Sequence, residues 1–338
     1  MKARSVIFTA PKRVEVREES LPPLQSGDVL VETLCSAISA GTEMLVHRGE
    51  FPQLKDAHDS MSSDLKYPLR YGYACVGRVV KVGKLVEQEW ENRLVFAFQP
   101  HTSSFVTHPS SLISLPSFIA PEAACFLPNM ETAVNLVQDG APILGERALV
   151  LGQGVVGLLT ASLLREFPLE ALVTSDCYPL RRKASLEIGV DDSFDPAWLK
   201  DNYGSNDRTQ YDDYAQNFDL TFELSGSPSA LNDAIALTTF SGRIVIGSWY
   251  GEKKAAIDLG GAFHRSRIQL ISSQVSTIAP ALSGRWDKAR RFRVAWEALG
   301  RIQPQKWVTH RFPIEEAEKA YRLLDENPQD TIQILFDY

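Results

Sequence analysis

The sequence predicts an α/β chain of two domains, one β-rich and one doubly wound around a parallel sheet, and three observations predict it. At 338 residues the chain exceeds what one ordinary core serves. Residues 1–125 read as short strands separated by Pro and Gly turn signals, whereas residues 126–285 alternate apolar strands with helices. Residues 147–176 read as strand, glycine turn, helix and a second strand that ends on an acid.

In chain order, strands are expected at 5–8, 13–17, 29–37, 75–82 and 93–98, with Pro22, Pro23, Gly27 and Gly83 between them. That spacing suggests a partly closed barrel. Residues 49–68 are polar with little periodicity and read as a long loop with a short helical turn, serving as a lid or as a plain surface excursion. One helix is expected from about Ala120 to Asp139. After Asp176 come a helix at 180–188, a short strand at 193–194 and an irregular acidic insertion at 198–217. A strand at 218–224 leads to Ser225, Gly226 and Ser227, and a helix at 230–237 with strands at 243–247 and 268–273 completes the alternation. Such alternation implies a parallel sheet covered on both faces. Its ligand site belongs at the strand carboxyl ends, where Gly152, Asp176, Ser225 and Ser248 fall. Residues 286–338 hold two helices and a strand at 332–336, and are expected to return to the first domain.

The glycine turn is the most informative stretch. The apolar run 148–151 passes through Gly152, Gln153, Gly154, Val155, Val156 and Gly157 into a helix reaching about Glu166. Gly152 permits a tight turn, Gly154 lets the backbone approach a pyrophosphate at the helix N-terminus, and Gly157 lets helix and strand pack closely. The next strand, 171–174, ends at Asp176, 176 − 152 = 24 residues after the first glycine. A carboxylate about 20 residues on accepts from the ribose hydroxyls of NAD and repels the phosphate of NADP. Arg182, beside Arg181, leaves room for NADP, but Asp176 makes NAD the expected cofactor.

Composition excludes other classes. The chain is 44% hydrophobic and 23% charged with a net charge of −7 and no clustered basic tract, which argues against nucleic acid as the main partner. The most basic run, 288–293, reads as the solvated face of an amphipathic helix. No apolar run approaches the roughly 18 residues of a membrane span, and the charged, strand-like start carries no export signal. Cys35, Cys75, Cys125 and Cys177 sit singly, so buried thiols without disulfides in a reducing cytoplasm are expected.

These features together resemble the medium-chain dehydrogenase/reductase superfamily over nearly the whole chain. Residues 71–83, YGYACVGRVVKVG, resemble that family's G-H-E-x-x-G-x-V-x-x-V-G segment, and Ser39, Ala40, Gly41, Thr42 and Glu43 resemble its C-G-T-D segment. Within it the bacteriochlorophyllide a dehydrogenase group shares the blocks found here at 38–43 and 67–80. The resemblance implies a GroES-like β-rich catalytic domain (1–125, with 286–338 returning) and a Rossmann dinucleotide-binding domain (126–285), a small-molecule substrate, and a homodimer as one assembly. It also implies a basic contact to the adenosine at Arg181.

The departures from the family pattern bear on chemistry. Where zinc-dependent members carry ligands, this chain has Ala40, Tyr73 and Leu127, with Ala74 at the adjacent Glu position, so no zinc is expected. Cys75 and His47 are the residues from which a rearranged metal site could draw. Without a metal, side chains must hold the substrate oxygen and pass its proton. Thr42 falls at the family's proton-relay position, Tyr73 replaces a ligand, and Glu43 and Glu131 lie on segments that face the family's active cleft. Each has a plain structural alternative: a backbone-satisfied hydroxyl, a packed phenol, a surface carboxylate. His101 and His108 are unassigned, and His264 lies in a segment reading toward the cofactor or a subunit contact. The expected function is a zinc-independent, NAD(H)-dependent interconversion of a secondary alcohol and a ketone on a fairly large substrate. The alternatives are an NAD(P)H-dependent quinone or enone reductase and a dinucleotide-binding protein without turnover.

Overall fold

The structure, a computed structural model, describes residues 1–51, 65–203 and 217–338. Most of the expected long loop at 49–68 therefore lies outside the described residues. The chain opens with β1 (Lys2–Ala10), β2 (Arg13–Ser20), β3 (Val29–Ala37), α1 (Thr42–Arg48), β4 (Cys75–Val82), β5 (Leu94–Ala97), β6 (Ser104–Thr107), β7 (Leu112–Ser114) and α2 (Pro121–Ala124). It continues through α3 (Leu127–Gly140), β8 (Arg147–Leu151), α4 (Val155–Leu164), β9 (Ala171–Ser175), α5 (Pro179–Ile188), β10 (Asp192–Phe194) and α6 (Pro196–Tyr203). Then come β11 (Phe218–Glu223), α7 (Ala230–Leu237), β12 (Thr238–Ile246), β13 (Gln269–Ser272), α8 (Lys288–Ile302), β14 (Val308–Pro313), α9 (Ala317–Glu326) and β15 (Gln333–Asp337).

These elements form two compact units, Met1–Pro128 with Leu299–Tyr338, and Asn129–Ala298. In the first, β1 and β2 pair as an antiparallel hairpin, and a seven-stranded sheet runs β14-β15-β3-β4-β5-β7 with β6 also on β3. The C-terminal strand β15 pairs antiparallel with β3, Leu335 opposite Ala37, which ties the end of the chain to its first half. Helix α9 buries Ala317, Ala320, Tyr321 and Leu324, one face at helical spacing. That face joins Phe8, Ile38, Met44, Val46 and Phe336 in one core.

In the second unit all six strands are parallel, in the order β10-β9-β8-β11-β12-β13. Numbered from β8, this is the 3-2-1-4-5-6 order of doubly wound dinucleotide folds. The reversal at β8 and β11 opens a crevice at their carboxyl ends. Leu149, Val173, Phe218, Ile235 and Ile244 pack its core.

Several expectations need correction. The helix from Ala120 is two: α2 stops at Ala124, and α3 begins at Leu127 with Pro128 in its first turn, where a missing N–H does no harm. Residues 198–203 are helical, because Leu199 is buried and Trp198 stacks on Phe194 at 4.0 Å; residues 204–216 lie outside the described residues. The basic run presents Lys288, Arg290 and Arg293 to solvent as expected, but Arg291 departs from that face and is fully buried. Cys35, Cys75 and Cys125 are buried free thiols, but Cys177 is exposed. β6, β7 and β14 were not anticipated.

Candidate active site

In the dinucleotide-binding unit the three glycines do three different things. Gly152 has φ +90°, and a Cβ there would lie 2.5 Å from the Leu224 carbonyl oxygen. A Cβ on Gly157 would lie 1.9 Å from the Gly152 carbonyl oxygen, so α4 can approach β8 only with glycine at that place. Gly154 has φ −68°, and a Cβ there would meet nothing within 4 Å. Its side opens on empty space at the N-terminus of α4, where unpaired N–H groups and the helix dipole favour an anion. Gln153 is buried and braces the turn, donating to Val150 O at 3.2 Å and Gly152 O at 3.0 Å and accepting from Ser185 Oγ at 3.1 Å. Val155 and Val156 begin α4.

Asp176 follows β9 and is 6% exposed. Its Oδ2 accepts from the Gln153 N–H at 2.7 Å and its Oδ1 from the Tyr178 N–H at 2.8 Å. Each oxygen retains acceptor capacity. The Arg181 guanidinium lies 3.9 Å from Oδ2 and 4.8 Å over the Tyr178 ring. Arg182 is drawn back onto the backbone, donating to Asp176 O at 2.7 Å and Cys177 O at 3.0 Å. Gly152, Asp176, Cys177, Arg181 and Ser225 line one cavity, together with Ser175, whose hydroxyl is buried without a hydrogen-bond partner. A tight turn, an open glycine at a helix N-terminus, an acid with spare acceptors and an orphaned hydroxyl fit a dinucleotide.

Ser225 and Ser248 belong to a bracket that sequence reasoning missed. Glu223, at the end of β11, is fully buried and accepts from the Ser225 N–H at 2.9 Å, from the Ser225 hydroxyl, and from the Tyr250 hydroxyl at 2.5 Å. Ser248 Oγ accepts from the Gly226 N–H at 2.9 Å. Burial and the Glu223 carboxylate push the Tyr250 phenol well up.

In the β-rich unit, the turn from β3 into α1 and the residues before β4 bring three hydroxyls near one another. Tyr73 donates to Ser39 Oγ, and Thr42 lies close enough to the same phenol to lower its pKa. All three side chains are half-buried. Burial raises the Tyr73 pKa above its usual value, the bonds from Ser39 and Thr42 oppose that, and the charge of Glu43 adds to it. Ser39 was named in sequence only as part of a motif; the cluster makes it a candidate beside Tyr73 and Thr42.

Glu43 is not exposed to a cleft. It is fully buried, accepting from Ser39 N–H at 2.8 Å through Oε1, and from the Tyr321 hydroxyl at 2.5 Å and His101 Nε2 at 3.0 Å through Oε2. Glu131 is likewise not a surface acid. Its Oε1 receives Arg291 Nε at 3.1 Å, Arg291 Nη2 at 2.9 Å and Lys288 Nζ at 3.1 Å. Arg291 also donates to Asn135 Oδ1, Thr277 O and Val275 O, so the pair pins the chain that follows β13.

The places where a zinc would be held offer no donor set. Ala40 and Leu127 have no ligating atom, and Leu127 is fully buried. Cys75 lies 3.5 Å from Thr33 Oγ1 with its thiol pushed up to about 12 by burial, and His47 is stacked on Tyr321 at 5.5 Å. Among the described residues no group of three or more His, Cys, Asp or Glu could hold a metal ion. The described residues at these places do not fit a catalytic zinc. No described helix is long and apolar enough to cross a membrane.

No protein-family profile matches the chain. Curated relatives match along its length: the starvation-sensing protein RspB of Escherichia coli strain K12 is 20% identical over 369 aligned residues, covering 99% of each chain. The 2-desacetyl-2-hydroxyethyl bacteriochlorophyllide A dehydrogenase of Cereibacter sphaeroides is 23% identical, covering 100% of this chain and 99% of its own. Among solved structures, the alcohol dehydrogenase rspB of Escherichia coli CFT073 in complex with NADH superposes with a TM-score of 0.75 at 18% identity, covering 100% of this chain and 99% of that one. Similarity over the full length, two units of these architectures and the glycine turn on β8 converge: along its whole length the chain resembles members of the medium-chain dehydrogenase/reductase superfamily.

Proposed function

We propose that the chain is a cytoplasmic oxidoreductase that uses NAD(H), without zinc, to interconvert a secondary alcohol and a ketone on a fairly large substrate. The observation that carries the reading is the Tyr73–Ser39–Thr42 hydroxyl cluster, formed by residues at and beside the family's metal and relay positions. The dinucleotide, when bound, supplies or takes the hydride. The chain's own residues handle the oxygen and its proton. Tyr73, kept neutral by burial, gives its proton to the ketone oxygen and is left as a phenolate beside the Ser39 and Thr42 hydroxyls; in the reverse direction that phenolate takes the alcohol's proton back. Arg182, tied to its own backbone, is not poised for a ribose phosphate, which with Asp176 favours NAD over NADP. The large substrate is argued from the full-length relative named as a bacteriochlorophyllide dehydrogenase, and the cofactor from the neighbour solved with NADH. The three buried free thiols suit a reducing cytoplasm.

One experiment tests the proposal: NADH and NADPH titrations of the unmodified protein and of Asp176→Ser, followed by a screen of hydroxyalkyl and acyl compounds with and without a chelator. A carboxylate facing a phosphate is worth on the order of 1–4 kcal/mol. NADH is expected to bind tighter, Asp176→Ser to lose the preference, and turnover to survive chelation. Tighter NADPH binding, or turnover abolished by zinc removal, refutes it.

A further inference from the structure

We propose that His101 is a positioning residue that holds the Tyr73–Ser39–Thr42 cluster from two sides, through Glu43 to Ser39 and through Gly72 to Tyr73. This rests on the reading of that cluster as the proton-handling site. His101 is fully buried in the β-rich unit, and its ring stands edge-on to Phe336 with centroids 5.0 Å apart. Its Nε2 lies 3.0 Å from Glu43 Oε2, and the other oxygen of that carboxylate accepts the Ser39 N–H at 2.8 Å. On the other side, Gly72 has φ +120°, and a Cβ there would lie 2.9 Å from His101 Cδ2. The backbone immediately before Tyr73 therefore rests on the imidazole, and only glycine lets it do so.

The partners fix the direction of the bond at one ring nitrogen, Nε2. Glu43 Oε2 already takes the Tyr321 hydroxyl at 2.5 Å and can only accept, so His101 Nε2 donates to it. Nδ1 lies 2.6 Å from Ser36 Oγ, which lies 2.6 Å from the Tyr338 hydroxyl. A neutral imidazole satisfies every atom: Tyr338 donates to Ser36, Ser36 to Nδ1, and Nε2–H to Glu43. Every donor in this chain of four side chains is used, which makes the array stiff. Two adjoining segments of backbone, at Ser39 and at Gly72, are thus referenced to one ring. Reacting hydroxyls misplaced by about 1 Å can lose roughly 10²-fold in rate, so the ring's position is felt at the cluster without any contact to substrate.

The test uses the full chain with His101→Asn, a side chain too short to bridge Glu43 and Ser36. Four quantities are measured: kcat and KM on a substrate from the screen, the NADH Kd, the melting temperature, and the phenolate titration of Tyr73, assigned by its absence in Tyr73→Phe. The expected result is a fall in kcat of roughly 10–100-fold, with KM and NADH Kd little changed. The Tyr73 titration should move toward the ordinary tyrosine value of about 10 as water reaches the phenol. A folded His101→Asn protein with unaltered kcat and an unmoved titration overturns the inference. If His101→Asn does not fold, Ser36→Ala, which frees Nδ1 and leaves the ring in place, is expected to move both readouts in the same direction, and no movement overturns the inference equally. If the unmodified protein turns over nothing, that result counts against the proposed reaction alone, and the Tyr73 titration still decides the role of His101.

Discussion

Substituting Gly154 by alanine separates cofactor binding from folding, because the new methyl would meet no protein atom within 4 Å while projecting into the space before α4. The backbone there, φ −68° and ψ −176°, is one that alanine adopts without strain. Replacing glycine at such a position stabilises by about 0.4–1 kcal/mol through the unfolded chain. On the ligand side, a methyl that holds a pyrophosphate away from the helix N-terminus removes at least one charge-assisted hydrogen bond, about 1.5–3 kcal/mol. At 1.4 kcal/mol per tenfold, that is roughly a ten- to hundredfold weaker NADH complex. Gly157→Ala is the control with the opposite signature, since its Cβ would lie 1.9 Å from Gly152 O and must push β8 and α4 apart. Such overpacking costs about 1–3 kcal/mol or more. The assay is NADH fluorescence titration beside thermal melting. Gly154→Ala should melt at or slightly above the unmodified protein and bind NADH poorly, whereas Gly157→Ala should melt lower. Unmodified NADH affinity in Gly154→Ala would refute the assignment of the open side of that glycine to the pyrophosphate.

Two further outcomes follow from buried charge. Arg291→Met strands Glu131 in the interior with only half-exposed Lys288 beside it; breaking such a pair costs about 3–5 kcal/mol, read as a melting temperature lower by roughly 6–20 °C, and an unchanged melting temperature would place Glu131 in water as a free acid. His47 has its pKa lowered from 6.5, chiefly by burial, with Arg48 and Lys12 adding to the effect and Asp325 opposing it. The folded state therefore binds this proton less readily than the unfolded chain. Stability from this group is complete above about 6.5 and declines as pH falls from there toward the folded value. Denaturant titrations between pH 7 and 5 should show a steeper acid loss in the unmodified protein than in His47→Phe, and parallel curves would refute it.

How far the sequence carried depended on how local the signal was. The parallel sheet was legible because each strand is a short apolar run beside a turn or helix, and the glycine turn fixes its own geometry within six residues. β6 and β14 were not legible, being half-polar segments that are strands because β3 and β15 lie alongside them. Arg291 was misread for a related reason. Its helical spacing marks a face but says nothing of a carboxylate 160 positions away in sequence. His101 carries no local sign at all, since Ser36 and Glu43 reach it across separations of 65 and 58 residues. Cys177 is exposed because it follows Asp176 where the crevice opens, a place that cysteine rarity alone does not reveal.

The placement of the acids also narrows where a proton can be held. A carboxylate acting as base needs a lone pair directed at substrate and a path for the proton to leave. Glu43 and Glu131 each receive three donors from within their own units, and each is buried. Withdrawing a donor to admit substrate would leave a buried charge short of partners, a penalty of several kcal/mol. Hydroxyls carry no such penalty, because in neither role do they bear a full charge in the resting protein. Tyr73 differs from both acids: it is half-buried, it donates to Ser39, and its raised pKa keeps the phenol protonated through neutral pH. A neutral donor of that kind suits reduction of a ketone directly. In the oxidising direction the alcohol's proton would pass back to the Tyr73 phenolate that reduction leaves, with the Ser39 hydroxyl beside it.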